Sequence, residues 1–421
     1  MTETTTRKRA LDPAFIVFAI AYLMINVPAG MFGVYKADIV ASLGTSLDEL
    51  LRFYSIIDYF YAFMLIPASL LIVRFSPGSL AWVALALEAV GLCIQWLSTN
   101  VTVFFLGYVL VNACWALAIP LVGQIARNRM TTAAFVIATT FVFCLGQGLQ
   151  ATGLLIAELL SGSVTWQMMY FFSMLAILPA IVMVWWFVRP SAEFQSGSVR
   201  ATLGIAWHLV RSPILWLAAL ASALFLGTLF DFGFIWNINF QMALGWDTNL
   251  SLILAFTFLI GVIIGGIATP AISRWIGAYA TMLIGMSYGS VVFGVVVFIT
   301  PGRTQMAWAV PAMVTMGIGF GSCAMILPYF AHFFDSRSSA IFFAVGDMVN
   351  SILTGLLISL PIWVESTAMK WDTMRGLEAM LPYFFAFVLG LGLYVVLGIL
   401  HRMVYRREQT EWLISDEQVD S

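Results

Sequence analysis

The chain has 421 residues, of which 62% are apolar, 15% aromatic and only 10% charged, and its mean hydropathy is +0.97. Soluble domains contain roughly 45–50% apolar and about 25% charged residues, so this composition excludes a soluble globular protein and predicts one embedded in a lipid bilayer. The net charge of −2 and the scattered basic residues exclude a basic patch, so no nucleic-acid partner is expected.

Twelve apolar runs, each long enough to cross a bilayer, follow one another along the chain. A membrane-spanning helix needs about 20 mainly apolar residues. Asp12 before Pro13, and Ser46 three residues before Glu49, provide helix-capping signals at two of the starts. The sequence therefore predicts an all-α polytopic membrane protein with twelve transmembrane helices. The predicted spans are 13–35, 51–73, 79–98, 101–124, 132–160, 166–188, 213–237, 249–273, 279–299, 306–331, 339–364 and 379–401.

The basic residues indicate the orientation of these spans. Twelve spans leave both termini on one side, and lysine and arginine in short loops are retained in the cytoplasm. With the termini inside, 14 of the 19 basic residues are cytoplasmic. We therefore expect a multi-pass protein of the plasma membrane with both termini in the cytoplasm. The five basic residues then left outside are Lys36, Arg52, Arg303, Lys370 and Arg375.

The longest internal hydrophilic stretch follows the sixth span and divides the spans into two sets of six. Apolar residues recur in it at helical spacing, at Val199, Leu203, Ala206 and Val210. This pattern is compatible with a short helix on the cytoplasmic interface, and a solvated loop is an equal alternative. The predicted parts are an N-terminal six-helix half (1–188), a cytoplasmic linker (189–212), a C-terminal six-helix half (213–402) and a cytoplasmic tail (403–421).

The two halves carry traces of an internal repeat at an offset of about 200 residues. AGMFGVYKADIVASLG (29–44) aligns with TLFDFGFIWNINFQMALG (228–245). The matching features recur in the same order in both halves, which indicates duplication of a six-helix unit. The matches are Phe32-Gly33 with Phe232-Gly233, Leu43-Gly44 with Leu244-Gly245, Arg74 with Arg274, and, at an offset of 208, Pro120 and Arg129 with Pro328 and Arg337.

Two six-helix sets related by a parallel repeat are described for one large class of transporters. On this organisation the chain resembles the major facilitator superfamily. The family's loop motif G-x-x-x-D-R/K-x-G is kept in part in SLLIVRFSPG (69–78) and PAISRWIG (270–277), without its aspartate. The resemblance implies two halves that rock around a central cavity, and a monomer. The motif residues retained are Arg74, Gly78, Arg274 and Gly277.

Four acidic residues are predicted to lie inside the membrane, where an ionisable side chain costs about 2.5–3.5 kcal/mol on insertion scales. Asp231, in LFDFGFIWN (229–237), either faces the cavity or makes a structural hydrogen bond. Asp58 shares a helix face with tyrosines, and either lines the cavity or forms an ion pair with Lys36 or Arg52. Glu88 is interpreted as structural, because the third helix of such a fold is peripheral.

The fourth acid, Asp347, begins the clearest polar pattern in the chain. Asp347, Asn350, Ser351 and Thr354 follow at i, i+3, i+4 and i+7, so all four share one helix face. This face either lines the pathway or hydrogen-bonds to the other half. Asp231, Asp58 and Asp347 are therefore the candidates for proton coupling or cation binding.

Uncharged polar residues near mid-span are candidates for substrate contact. No arginine or lysine is predicted deep in any span, which argues against a multiply anionic substrate and favours a cation, or carboxylates that carry protons. The candidates for substrate binding are Asn26, Asn112, Gln147, Gln150, Asn350 and Trp115.

The sequence contains no motif for catalysis or ATP binding. Its four cysteines lie in separate apolar runs without metal-ligand spacing, so neither an enzyme nor a metal site or other cofactor is expected. The function predicted is secondary active transport of a small organic solute by alternating access, as a proton-coupled symporter or antiporter. The alternatives are a gradient-independent facilitator and a transporter-like protein that no longer transports and acts as a sensor or assembly partner.

Overall fold

The computed structural model describes residues 12–188, 199–230, 232–233, 237–299, 306–333, 336–368 and 380–404, and nearly all of them are helical. A 3₁₀ helix at Ser322–Met325 connects two of the α-helices. The α-helices are α1 (Pro13–Ala29), α2 (Phe32–Leu43), α3 (Leu47–Arg74), α4 (Pro77–Leu97), α5 (Val101–Arg129), α6 (Thr132–Leu160), α7 (Trp166–Phe187), α8 (Val199–Val210), α9 (Pro213–Phe230), α10 (Asn237–Ala243), α11 (Thr248–Ile276), α12 (Ala278–Ile299), α13 (Met306–Gly321), α14 (Ile326–Ala331), α15 (Ser336–Ala368) and α16 (Leu381–Val404).

The predicted all-α membrane fold is confirmed. Ten segments of the described chain are long and apolar enough to cross a membrane, and α1 with α2 makes an eleventh that is bent by 49°. The seventh predicted span begins with α9, which is apolar but shorter. All twelve predicted runs therefore coincide with apolar helices.

Three of these spans are not the continuous helices that the sequence predicts. The first breaks between α1 and α2 just after Pro28, which lacks the N–H needed to continue the helical hydrogen bonds. In the seventh span, α9 ends at Phe230, and residues 232–233 form a π-helical turn before α10. The tenth changes to a 3₁₀ helix after Gly321. Each break lies beside a residue that disfavours a helix interior, Pro28, Gly233 and Gly321 in turn, a signal that span length and apolar content do not use.

The internal repeat is visible in the backbone. The first span of each half is interrupted next to its Phe-Gly pair, and each interrupted span ends at a glycine with positive φ. Gly44 has φ 66° and Gly245 has φ 96°, a conformation that glycine adopts without a steric penalty at a helix C-terminus. The predicted pairing of Leu43-Gly44 with Leu244-Gly245 therefore corresponds to two equivalent helix ends.

Equivalent helices of the two halves also make equivalent contacts. In the first half α1 contacts α6, α3 contacts α5 and α4 contacts α5. In the second half α9 contacts α15, α11 contacts α13 and α12 contacts α13 in the same way. The two six-helix units therefore share one internal arrangement, as expected for a duplicated unit.

Glycines allow close helix approach inside each half. A Cβ on Gly153 of α6 would lie 2.0 Å from the carbonyl oxygen of Val27 in α1. In the second half, a Cβ on Gly265 of α11 would lie 2.0 Å from the carbonyl oxygen of Ile318 in α13. Small residues are the usual means of bringing membrane helices together, because lipid supplies no hydrophobic driving force between them.

The two halves meet through α3 with α15, α5 with α15, and α6 with α11. Between the halves, the segment for which helix and loop were equal alternatives contains α8, which contacts α3, α9 and α15. Leu209 of α8 is buried, while Trp207 is exposed and lies under the guanidinium of Arg211, 4.6 Å from its ring centroid. The exact boundaries of halves, linker and tail stay a prediction.

Successive spans run in opposite directions, so their ends define two sides. The terminal side carries the start of α1 and the end of α16, and the far side carries the turn at Gly44 between α2 and α3. On the terminal side, Asp12 caps α1 by accepting a hydrogen bond from the Ala14 amide at 2.9 Å. It also forms an ion pair with Arg129 at 3.4 Å, which joins the ends of α1 and α5.

Candidate functional site

A cavity of about 540 Å³ lies between the two halves. It extends to the far side, where Lys36, Glu158 and Thr248 form part of its rim. Its volume is within the range of roughly 300–1,000 Å³ that small-molecule sites occupy. Its polar wall includes Tyr54, Asp58, Tyr61, Tyr108, Asn112, Gln147 and Gln150 from the first half, and Asp347, Asn350, Ser351 and Thr354 from the second.

The cavity is closed towards the terminal side by packing between the halves. Phe343 of α15 is fully buried, and a Cβ on Gly123 of α5 would lie 2.7 Å from its ring. The same ring lies 5.9 Å from the ring of Phe143 in α6, centroid to centroid. Nearer the terminal side, the Arg127 guanidinium donates a hydrogen bond to the carbonyl oxygen of His332 at 3.1 Å. The structure therefore has a far-side-open arrangement.

Asp347 lies where the two halves meet within the cavity. The hydroxyl of Tyr61, on α3, donates a hydrogen bond to Oδ2 of Asp347, on α15. The next two turns of α15 present Asn350, Ser351 and Thr354 to the same cavity. Of the two readings of this polar face, lining the pathway and bonding to the other half, the structure shows both.

Asp58 lines the cavity one helical turn before Tyr61. Its Oδ2 is buried and has no hydrogen-bond partner among the described residues. The ion pair with Lys36 or Arg52 that was one alternative is not present in the described part of the chain. Two aromatic rings that line the cavity, those of Tyr54 and Tyr108, lie 5.3 Å apart, and Tyr108 interacts electrostatically with Asp58.

Five of the six predicted substrate contacts line this cavity. The side-chain amide of Asn112 donates to the carbonyl oxygen of Tyr108 at 3.0 Å, which fixes its orientation. The amide oxygens of Gln147, Gln150 and Asn350 are buried without a hydrogen-bond partner among the described residues. Trp115 completes this group on the apolar side of the wall.

Asn26 is the exception, and the prediction that it contacts substrate is not supported by its position. Its side chain is fully buried between helices and is absent from the cavity wall. Its amide donates to the carbonyl oxygen of Tyr22 at 2.7 Å, and its Oδ1 lies 3.1 Å from where a Cβ on Gly146 would be. It therefore faces α6 instead of the cavity, a direction that helical spacing alone did not determine.

Asp231 lies outside the described residues, so the predicted role of its carboxylate stays a prediction. Its described neighbours lie on different surfaces. Leu226 lines the cavity, and a Cβ on Gly227 would lie 2.9 Å from the Thr354 hydroxyl. Phe232 instead is fully buried among aromatic rings of the second half, including Phe258 at 5.5 Å. The aromatic residues of LFDFGFIWN thus include one core residue, Phe232.

Glu88 and the loop-motif residues lie away from the cavity. Glu88 of α4 is fully buried, where it interacts electrostatically with the thiol of Cys114 on α5. Arg74 and Arg274 are exposed at the terminal-side ends of α3 and α11. The two motif glycines differ: Gly277 ends α11 with φ 85°, whereas Gly78 lies in the first turn of α4.

Sequence reasoning missed Phe343 and Gln95 as cavity residues. Phe343 precedes Asp347 by four residues and so shares its helix face, a spacing that was visible in the sequence. An apolar residue in an apolar helix gives no other signal. Gln95 lies on the helix assumed to be peripheral, yet it reaches the cavity near the far-side end of α4.

Comparison with known proteins gives a consistent picture. The family model described as Major Facilitator Superfamily matches residues 14–356. A search of curated protein sequences finds no match. Among solved structures, the chain is similar to FucP, a transporter of that superfamily in the outward conformation, with a TM-score of 0.69 and 13% identity over 92% of this chain and 99% of that one.

Two further solved structures show the same similarity of fold. The human organic anion transporter MFSD10 (TETRAN) matches with a TM-score of 0.67 and 10% identity, over 91% of this chain and 100% of that one. A variant of the E. coli fucose:proton symporter FucP matches with a TM-score of 0.65 and 14% identity, over 90% and 98%. At these identities the similarity concerns the fold.

Proposed function

The chain belongs to the major facilitator superfamily, and on that premise we propose that it is a secondary active transporter that carries a small organic solute by alternating access, coupled to protons. The observation that carries this proposal is a cavity between two repeat-related halves that extends to one side, is closed at the other and contains an embedded carboxylate at the seam. Rocking of the halves would expose the same residues to the opposite side.

Asp347 is the proposed site of proton binding. It belongs to one half and accepts a hydrogen bond from Tyr61 of the other, so its charge affects the contact that must change when the halves rock. Hydrogen bonds to an ionised carboxylate are about twice as strong as neutral ones, so protonation of Asp347 would weaken this contact. The titratable groups around it are Tyr61, Tyr22 and, through Tyr61, Asp58.

The direction of the cavity follows from the proposed orientation. The positive-inside rule assigns the terminal side to the cytoplasm, since Arg74, Arg127, Arg129 and Arg274 lie there. The far-side opening would then face the exterior of the cell, with the protein in the plasma membrane. The proposed transporter acts as a monomer.

The test combines a ligand screen with proton flux. Purified protein is screened for solutes that raise its unfolding temperature, and the hits are applied to proteoliposomes that enclose a pH-sensitive dye. Ligand at about 100 times its dissociation constant stabilises a protein by about 2.7 kcal/mol, which such a screen detects. We expect solute-dependent proton movement, its loss in Asp347→Asn, and retained solute exchange in that variant.

The outcomes separate the three functions. Glu88→Gln is the matched control, because it neutralises a buried carboxylate outside the cavity, and it should keep proton flux. Solute counterflow without proton movement in the unsubstituted protein, unchanged by uncouplers, would indicate the gradient-independent facilitator. Ligand binding without any counterflow would indicate the non-transporting alternative.

A further inference from the structure

The unpaired carboxylate of Asp58 is the feature of the cavity that its own residues leave unexplained. One of its oxygens is buried without a hydrogen-bond partner, and no cationic side chain of the described chain pairs with it. Asp347 differs, because Tyr61 donates to it. A buried carboxylate is stabilised by a proton or by a paired cation, and in the described cavity wall no cationic side chain pairs with Asp58, which leaves a place for the cation of a ligand.

Aromatic rings flank the approach to this carboxylate. Tyr54 lies between Phe32 and Tyr108, with its ring 4.7 Å from the first and 5.3 Å from the second. All three line the cavity. An ammonium or guanidinium group within about 6 Å of an aromatic centroid is attracted by the ring, so these residues favour a positive charge beside Asp58.

The remaining polar atoms of the wall favour a ligand that donates hydrogen bonds. The side chains of Gln150 and Asn350 are only 8% and 9% exposed, and both have an amide oxygen without a partner among the described residues. Gln147 adds a third such oxygen. Unmet acceptors are satisfied by N–H groups, which a primary ammonium or a guanidinium has and a quaternary ammonium lacks.

The charges of the cavity wall also favour a cationic ligand. The described wall contains the carboxylates of Asp58, Asp347 and Glu158 and one cation, Lys36, at its rim. An anionic solute would meet two carboxyl groups deeper in the cavity, those of Asp58 and Asp347, where the described wall has no cationic side chain. The volume of about 540 Å³ accommodates a small ligand with an apolar body against Trp115 and Phe143.

We propose that the transported solute is a small organic cation with N–H groups, whose primary ammonium or guanidinium binds Asp58 beside the rings of Tyr54 and Tyr108. This assignment rests on the proposed transport function and narrows its substrate to one chemical class. It also separates the two carboxylates: Asp58 holds the solute, and Asp347 carries the proton.

The test is isothermal titration calorimetry of the purified full chain with four probes of matched shape. They are 4-phenylbutylamine, its trimethylammonium analogue, 4-phenylbutanol and 4-phenylbutanoate. At neutral pH the primary amine should bind more than about tenfold more tightly than the alcohol and the carboxylate, since losing one member of a desolvated charge pair costs at least about that factor. It should also bind more tightly than the trimethylammonium analogue, which keeps the charge but has no N–H group to donate. Asp58→Asn should remove this preference, and Asp58→Glu should retain part of it.

Two controls keep loss of binding apart from loss of folding. Glu88→Gln neutralises a buried carboxylate behind the wall and should bind the amine as the unsubstituted protein does. The unfolding temperature of Asp58→Asn without ligand is measured alongside, and Asp58→Glu serves in its place if that variant does not fold.

Three results would overturn the assignment: no binding of the amine at millimolar concentration, equal binding of the amine and the alcohol, or an unchanged preference in Asp58→Asn. The proposed transport function is judged separately in proteoliposomes. Counterflow of a neutral or anionic solute without amine binding would refute the cation site and keep the transporter. Amine binding without counterflow would support the cation site and refute the transport function.

Discussion

The hydroxyl of Tyr61 donates a hydrogen bond to the carboxylate of Asp347, which is 286 residues further along the chain and belongs to the other half of the protein. Tyr61 is buried, with 7% of its surface exposed, and both residues line the central cavity. The bond therefore connects α3 and α15 inside the cavity, and it can be made only while these helices keep their present separation.

Tyr61→Phe should shift the protein away from the far-side-open arrangement. The substitution keeps the ring and removes the donor to Asp347. A hydrogen bond to a charged group contributes about 1.5–3 kcal/mol, so the ratio of the two arrangements should change by about tenfold or more if the bond exists in only one of them. The shift is measured as a shorter distance between spin labels on the far side, at Ser163 and Asn249.

Tyr59→Phe is the matched control for this change. Tyr59 is on the same helix and is 39% exposed, and it does not line the cavity. Tyr59→Phe should leave the distance between the labels at Ser163 and Asn249 unchanged. Equal distance distributions in Tyr61→Phe and the unsubstituted protein would show that the bond does not favour the present arrangement.

Gly123→Ala should open the terminal side. The added methyl carbon would lie 2.7 Å from the ring of Phe343, and because that ring is fully buried, we expect the contact to be relieved by separation of α5 and α15. The expected result is a longer distance between spin labels at Asn128 and Arg274, which lie on the terminal side in different halves. The closed state of the unsubstituted protein gives the reference distance.

Two further variants isolate the steric cause of this opening. Combining Gly123→Ala with Phe343→Leu removes the ring and should restore the short distance. Gly162→Ala adds a methyl group where no atom lies within 4 Å and should have no effect. An opening that persists when the ring of Phe343 is removed would contradict the packing explanation.

Gly265→Ala should destabilise the second half. A Cβ at this position would lie 2.0 Å from the Ile318 carbonyl oxygen, so α11 and α13 must separate to accept it. Overpacking of this kind typically costs about 1–3 kcal/mol. Thermal unfolding in detergent should show a lower midpoint than in Gly392→Ala, where a Cβ meets no atom within 4 Å. Equal midpoints would mean that the helices adjust at little cost.

Much of the fold could be predicted because its signals are local. Span length follows from bilayer thickness, and the match of Leu43-Gly44 with Leu244-Gly245 indicated a repeat whose helix ends are equivalent in the structure. The helix breaks after Ala29 and Phe230 were not predicted. Pro28 and Gly233 are local signals beside them, but the prediction rested on span length and apolar content, which do not use such signals.

The site was predictable only in part for a related reason. The polar face of α15 that begins at Asp347 could be recognised from its spacing, because residues on one helix face recur every three or four positions. Its partner Tyr61 could not, because the pairing depends on the approach of two halves. Spacing gives the face of a helix, and the direction of that face is set by packing.

Asn26 and Asn112 test this distinction as a matched pair. Each donates its side-chain amide to the carbonyl oxygen four residues earlier, at 2.7 Å to Tyr22 and 3.0 Å to Tyr108. Asn112 lines the cavity, whereas Asn26 is fully buried against α6. Asn112→Ala should therefore weaken the binding of ligands from the solute screen by about two- to tenfold, the contribution of one hydrogen bond of about 0.5–1.5 kcal/mol.

Asn26→Ala should leave the dissociation constant unchanged and lower the unfolding midpoint instead, because it removes packing between α1 and α6 where Gly146 adjoins its side chain. Both quantities are measured on the same preparations, by calorimetry and by thermal unfolding. The reverse result, weaker binding in Asn26→Ala and unchanged binding in Asn112→Ala, would mean that the ligand contacts α1 behind the present wall. The cavity residues would then have to be reassigned for the state that binds solute.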